Sequence, residues 1–143
     1  MSGVSLVSPS RVRLDVPAPT REAAVQVAAE LLRDDDRLGA WEEFRRSIGE
    51  RQVVDVEGCG GGVVLAHGRG PSVKELALSA LRWTAPDGPR LVFVFAIPGA
   101  MAEEYLRKVG ALARVCREPA KLDALRAAAT PEEFAARLAG WIG

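Results

Sequence analysis

Seven apolar residues stand in an unbroken run at positions 91–97, where valine and phenylalanine dominate, and Pro98 and Gly99 end the run. A run of this length and composition is typical of a strand that is buried on both of its faces. Such a strand needs neighbouring strands beside it and packed side chains above and below it. The run therefore predicts a sheet in the interior of the fold, with other elements covering both sides.

Other segments have the composition of strands or the periodicity of helices. Further strands are predicted at 12–16, 63–65 and 76–83, and a turn is predicted at 85–89. Helices are predicted from Thr20 to about Arg33, from Ala40 to near Arg51, from Glu103 to Cys116, after Pro119, and from Thr130, where Pro131 and Glu133 complete a helix-start pattern. These elements predict the α/β class, as a single three-layer α/β/α domain spanning 1–143 with a small mixed β-sheet covered by helices on both faces.

Composition excludes several classes of function. Nineteen basic and nineteen acidic side chains give a formal net charge of zero, which argues against nucleic acid as a partner because such binding needs a basic face. No apolar run approaches the ~20 residues of a membrane span, and residues 1–10 lack a signal-peptide pattern, so we expect a cytoplasmic protein without direct membrane insertion. Cys59 and Cys116 with one histidine make a poor metal set, so reduced structural cysteines and no metal or cofactor are expected.

The single histidine, His67, is the strongest candidate for a functional residue. It follows four glycines within residues 58–62 and a short apolar strand, and Gly68, Arg69 and Gly70 come directly after it. An imidazole is partly unprotonated near neutral pH, glycine lets backbone N–H groups approach an anion, and arginine binds phosphate oxygens. Phosphoryl transfer onto a side chain needs these three properties, although a lone histidine is also compatible with a structural role. The glycine run does not match nucleotide-binding loops, since it precedes a strand and lacks a Gly-Lys-Ser/Thr ending.

The segment from Gly58 to Arg69 resembles the active-site segment of the type 2 enzyme IIA domains of the bacterial phosphotransferase system, the fructose, mannitol and nitrogen-regulatory branch. In that family a glycine loop leads through a short strand to a Pro-His pair, and an arginine lies sixteen residues before the histidine. Arg51 lies sixteen residues before His67 here. Three positions depart from the family pattern: Ala66 replaces proline, Gly61 replaces asparagine, and Tyr105 stands where many members carry a second histidine.

The resemblance implies a function and its partners. A phosphoryl group would pass from an HPr-like phosphocarrier to His67, and from there to a IIB transporter domain or to a regulatory protein. Arg51 is the expected catalytic partner of His67, while Tyr105, Gly68 and Arg69 are candidates for contacts with the phosphate. The chain would then be the phosphohistidine-carrying component of a phosphotransferase. The alternative is a regulatory or protein-binding module on the same fold, with weak or absent phosphorylation, and both transport and regulation fit the residues.

Overall fold

The computed structural model describes residues 6–33, 37–49, 53–56, 62–71, 73–86, 88–99 and 102–143. A 3₁₀ turn at Pro9–Arg11 opens the described chain. The strands are β1 (Val12–Pro17), β2 (Val53–Asp55), β3 (Val63–Gly70), β4 (Ala77–Ala85) and β5 (Gly88–Pro98), and the helices are α1 (Arg21–Glu30), α2 (Trp41–Ser47), α3 (Ala102–Cys116), α4 (Pro119–Ala127) and α5 (Pro131–Ile142).

The described strands form one mixed sheet with β5 at its centre. Their order across the sheet is β1-β4-β5-β3-β2. β3 runs parallel to β5 and β1 runs parallel to β4, whereas β4 is antiparallel to β5 and β2 is antiparallel to β3. The predicted central position of the 91–97 run is thus confirmed. β2 was not predicted, because three residues are too short for an alternating pattern to stand out.

The two faces of β5 contribute to two separate hydrophobic cores. Leu91, Phe93, Phe95 and Ile97 are fully buried against α3, α4 and α5, in what we call the first core. Val92, Val94 and Ala96 are fully buried against α1 and α2, in the second core. This alternation follows from the two-residue period of a strand. The predicted three-layer α/β/α class, with helices on both faces, is confirmed.

Two helix starts follow their predicted capping residues. The Thr20 hydroxyl accepts a hydrogen bond from the Ala23 N–H, and the Thr130 hydroxyl accepts one from the Glu133 N–H, both over 3.1 Å. Each bond satisfies an N–H group that the first turn of a helix leaves without an internal partner. The ends of α1 and α2 come earlier than predicted, at Glu30 and Ser47. Within the described ranges, no helix is both long enough and apolar enough to cross a bilayer.

Candidate functional site

His67 lies within β3, not after its end as the sequence suggested. The predicted strand stopped at Leu65, but β3 continues to Gly70 because β5 offers a parallel partner along its whole length. In that register His67 pairs with Phe95, and Gly70 pairs with Pro98. The imidazole is consequently carried by a regular strand with a fixed backbone, near the ends of two parallel strands. Crevices at the carboxyl ends of parallel strands are common ligand sites in α/β proteins.

The imidazole packs against Tyr105 from the start of α3. The two ring centroids are 5.7 Å apart and the ring planes are tilted by 44°. The Tyr105 ring also meets Phe95 edge to face, with centroids 5.3 Å apart at 82°. Both distances lie in the range favoured by aromatic pairs. Tyr105 is therefore held between the first core and His67, which brings together two residues that the sequence analysis placed in one site.

Two effects favour the neutral form of His67. Partial burial lowers its pKa below the ordinary value of 6.5, and the positive charge of Arg69 lowers the pKa further. Both act in the same direction, because each disfavours adding a proton to the ring. Near neutral pH the imidazole thus has an unprotonated ring nitrogen with a free electron pair. This is the protonation state that a nucleophile requires.

Tyr105 is kept in its protonated form by the same surroundings. Burial raises the pKa of its phenol above the ordinary value of 10.0, and the Arg69 charge opposes that effect without cancelling it. A protonated phenol can donate one hydrogen bond, but it carries no positive charge. Tyr105 can therefore contribute a hydrogen-bond donor to the site, but no positive charge.

Gly68 and Arg69 occupy different faces of β3. Gly68 is buried and faces α2, where a Cβ atom added to it would lie 2.6 Å from Phe44 Cε1 and from Ser47 Oγ. Arg69 is exposed, and strand alternation directs its side chain to the same face as His67. The predicted phosphate-contacting set is thus divided: His67, Arg69 and Tyr105 share one face, and Gly68 is the point where α2 packs on the strand.

Arg51 lies outside the described residues, as do Gly58, Cys59, Gly60 and Gly61. The described end of the glycine run, Gly62, has a φ of 81°, a left-handed conformation that favours glycine. Its carbonyl accepts a hydrogen bond from the Leu91 N–H over 2.8 Å. Gly62 stands five residues before His67, or about 16 Å along an extended strand, so it shapes the entry into β3 and does not border the imidazole.

The sequence matches the family model for the "Phosphoenolpyruvate-dependent sugar phosphotransferase system, EIIA 2" over residues 5–140. The chain belongs to this family. As an EIIA type 2 protein it is a phosphoryl-carrier domain, and the family implies phosphotransfer partners of the HPr and IIB kinds. A search of curated protein sequences finds no match.

Solved structures share the fold of this EIIA domain. The nitrogen regulatory protein IIA-Ntr from Neisseria meningitidis superposes with a TM-score of 0.72 at 23% identity, over 93% of this chain and 96% of that one. The mannitol-specific cryptic enzyme IIA CmtB from Escherichia coli superposes with a TM-score of 0.68 at 17% identity, over 96% of this chain and 99% of that one. At these identities the likeness establishes the common fold.

One residue beside the site of this EIIA domain was missed by the sequence analysis. Ser47, the last residue of α2, accepts a hydrogen bond from the backbone N–H of Arg69 over 3.1 Å. A serine at a helix end has no sequence pattern that signals a contact with a strand twenty-two positions later. Only the packing of α2 on Gly68 brings the two groups together.

Proposed function

We propose that His67 accepts a phosphoryl group from an HPr-like phosphocarrier and passes it to a IIB transporter domain or uses it as a regulatory signal. The observation that carries the proposal is the state of its imidazole, which is partly buried against Tyr105 with a lowered pKa and so is neutral near pH 7. A ring nitrogen attacks the phosphorus in line; the new P–N bond forms as the bond to the donor's imidazole breaks, and the donor ring keeps the electron pair.

The negative charge on the three oxygens of the transferred phosphoryl group needs stabilisation, because phosphoryl transfer depends mainly on positioning and electrostatics. Arg69 is exposed on the face of His67 and acts on it electrostatically, so we assign it a contact with the phosphate. Tyr105 donates its phenol hydrogen to a phosphoryl oxygen. Arg51 supplies a second guanidinium, on the strength of its family spacing. Gly68 and the Arg69 N–H are left out of this donor set, because Gly68 is buried under α2 on the opposite face and the Arg69 N–H donates to Ser47 Oγ.

Phosphorylation in a reconstituted system tests the assignment. The purified chain is incubated with phosphoenolpyruvate, the general donor enzyme and HPr, and the adduct is followed by intact mass and by its acid lability. Because His67 is the only histidine, an acid-labile phosphoryl group on a histidine of this chain must be on His67. We expect one phosphoryl group per wild-type chain and none on His67→Ala. An unlabelled wild type beside a labelled control EIIA would favour the alternative, a protein-binding module without phosphorylation.

The role of Arg51 has its own test. Arg51→Ala removes one of the guanidiniums proposed to bind the phosphoryl oxygens, so we expect the rate of phosphoryl acceptance to fall on the order of a hundredfold, with little change in melting temperature. Arg13→Ala is the matched control, since Arg13 is an exposed arginine on β1, at the other side of the sheet. Equal rates for the two variants would remove Arg51 from the site.

Capture experiments distinguish a IIB transporter domain from a regulatory protein as the partner of this chain. We expect the chain to act in the cytoplasm, and we expect the unphosphorylated chain to bind HPr there. Phosphorylated wild type and His67→Ala are used as baits in parallel. A IIB domain that receives the label from the wild type would assign the chain to transport, whereas a regulator bound in only one phosphorylation state would assign it to signalling.

A further inference from the structure

The Ser47 side chain joins the end of α2 to the C-terminal half of β3 by a hydrogen bond. Its hydroxyl accepts a hydrogen bond from the Arg69 N–H over 3.1 Å and donates one to the Phe44 carbonyl over 2.6 Å. Both bonds lie in the normal range for a strong contact. The hydroxyl therefore links the last turn of α2 to a point on the strand two residues after His67.

At Arg69, this bond replaces the backbone hydrogen bond that a neighbouring strand would otherwise form with β3. Nearer the start of β3, the Val63 carbonyl accepts a hydrogen bond from the Val56 N–H, so the polar groups of Val63 point toward β2. Arg69 has the same parity along the strand, and its N–H points to the same edge. The described residues of β2 reach only as far as the pair between Val53 and Ala66. Three residues beyond that pair, the partner on this edge is a side chain of α2.

The close approach of α2 depends on the residue next to His67. A Cβ atom at Gly68 would lie 2.6 Å from Ser47 Oγ and 2.9 Å from Ile48 Cγ1, distances that real Cβ atoms do not show. The helix end thus rests directly on the backbone of the strand, and Ser47 fixes it there. His67 is consequently restrained from both sides of the sheet, by α2 through the backbone and by Tyr105 through its ring.

We infer that Ser47 is a positioning residue for phosphoryl transfer at His67. The inference rests on the proposed function. In-line transfer needs the ring nitrogen, the phosphorus and the leaving nitrogen on one line, and a misplacement of about 1 Å can reduce such rates by about a hundredfold. Without the Ser47 hydroxyl, the end of β3 loses the hydrogen bond from the Arg69 N–H. The backbone that carries His67 then becomes more mobile. Ser47 acts through that backbone and does not itself touch the phosphoryl group.

The test compares Ser47→Ala with Ser47→Thr and with a matched serine. Ser79→Ala makes the same chemical change, since Ser79 also donates to a helix carbonyl, that of Ala28, over 2.7 Å, but it is buried on β4, and Ala28 belongs to the second core. For Ser47→Ala we expect about a tenfold slower single-turnover transfer from phospho-HPr at saturating donor, with the KM for the donor unchanged. Ser47→Thr keeps the hydroxyl and restores the rate. Ser79→Ala transfers at the wild-type rate even if it melts at a lower temperature.

Amide hydrogen exchange at Arg69 provides a readout that does not depend on transfer. The Arg69 amide should be protected in the wild type and in Ser47→Thr, and should exchange at least about tenfold faster in Ser47→Ala. Equal transfer rates for Ser47→Ala and the wild type, or equal losses for Ser47→Ala and Ser79→Ala, overturn the inference and leave His67 as the acceptor. Absence of label on the wild type removes the proposed function and the inference together, whatever the exchange rates are.

Discussion

At the scale of single residues, the protonation of His67 sets the pH dependence of the protein. The unfolded chain binds this proton near pH 6.5, whereas burial and Arg69 lower the pKa of the folded imidazole. Between the two pKa values the unfolded state holds more protons, so stability falls as the pH drops through that window. Phosphoryl acceptance by the folded protein falls only at the lower end of that window, as the pH passes the lowered pKa of the folded imidazole, because the protonated ring has lost its nucleophilic electron pair.

NMR titration of the one histidine measures this directly. We expect its pKa to lie below 6.5 in the wild type and to rise toward that value in Arg69→Gln, because the neutral amide removes one of the two causes. Burial remains in the variant, so the rise should be incomplete. A wild-type pKa at or above 6.5 would contradict the assigned surroundings of the ring.

A substitution at Tyr105 distinguishes the packing of its ring from the hydrogen bond that its phenol donates. Tyr105→Phe keeps the ring contacts with His67 and Phe95 but removes the phenol hydrogen. A hydrogen bond to a charged group contributes about 1.5–3 kcal/mol, so losing one in the transition state should slow phosphoryl acceptance at least about tenfold. Stability should change little. Single-turnover rates for Tyr105→Phe and the wild type check this, and equal rates would show that the hydroxyl does not reach the phosphoryl group.

At the scale of elements, Arg82 on β4 ties the helix layer to the sheet. Its Nη1 donates to the carbonyls of Leu125, Arg126 and Ala128 at the end of α4, over 2.8–3.2 Å. Nε and Nη2 bind the two carboxylate oxygens of Asp15 at 2.9 and 3.0 Å, and this pairing holds the pKa of Asp15 below its ordinary value. One buried guanidinium thus satisfies the open carbonyls of a helix end and a carboxylate on the edge strand.

Substituting Arg82 should therefore reduce the stability of the protein more than substituting Asp15. Arg82→Met leaves carbonyls without a donor in a buried place, and we expect a loss of about 3 kcal/mol. Asp15→Asn should cost about 1 kcal/mol, because Asp15 is two-thirds exposed and asparagine tolerates its φ of 59°. Urea unfolding at pH 7 measures both. Equal losses would mean that the ion pair, and not the capping of α4, provides the stabilisation.

At the scale of the whole molecule, elements specified by their own residues were predictable and those specified by partners were not. The apolar run of β5 and the cap at Thr130 contain their own signals. β2 and the second half of β3 exist because neighbouring strands pair with them. The site divides in the same way. His67 and Tyr105 could be associated through the family resemblance, but the contact of Ser47 with the strand depends on how α2 packs, which local sequence does not encode.

The sheet shared by both cores predicts a single cooperative unit over residues 1–143. Phe93 and Val94 are consecutive residues of β5, fully buried in the first and second core respectively, so neither core can lose its packing while the strand stays intact for the other. Trp141 packs on the first core and Trp83 lies in the second, which gives each face its own fluorescent probe.

Two variants isolate these probes, one that keeps only Trp141 and one that keeps only Trp83, with phenylalanine at the other tryptophan positions. For each variant, we expect the urea midpoint from fluorescence to coincide with its midpoint from far-UV circular dichroism, as two-state unfolding requires. The comparison is made within a variant, since the substitutions themselves change stability. If the fluorescence of Trp141 changed at a lower urea concentration than the circular dichroism, the α3–α5 layer would detach before the sheet unfolds. Because Tyr105 belongs to that layer, such a protein would lose one of the two restraints on His67 while most of its secondary structure remained.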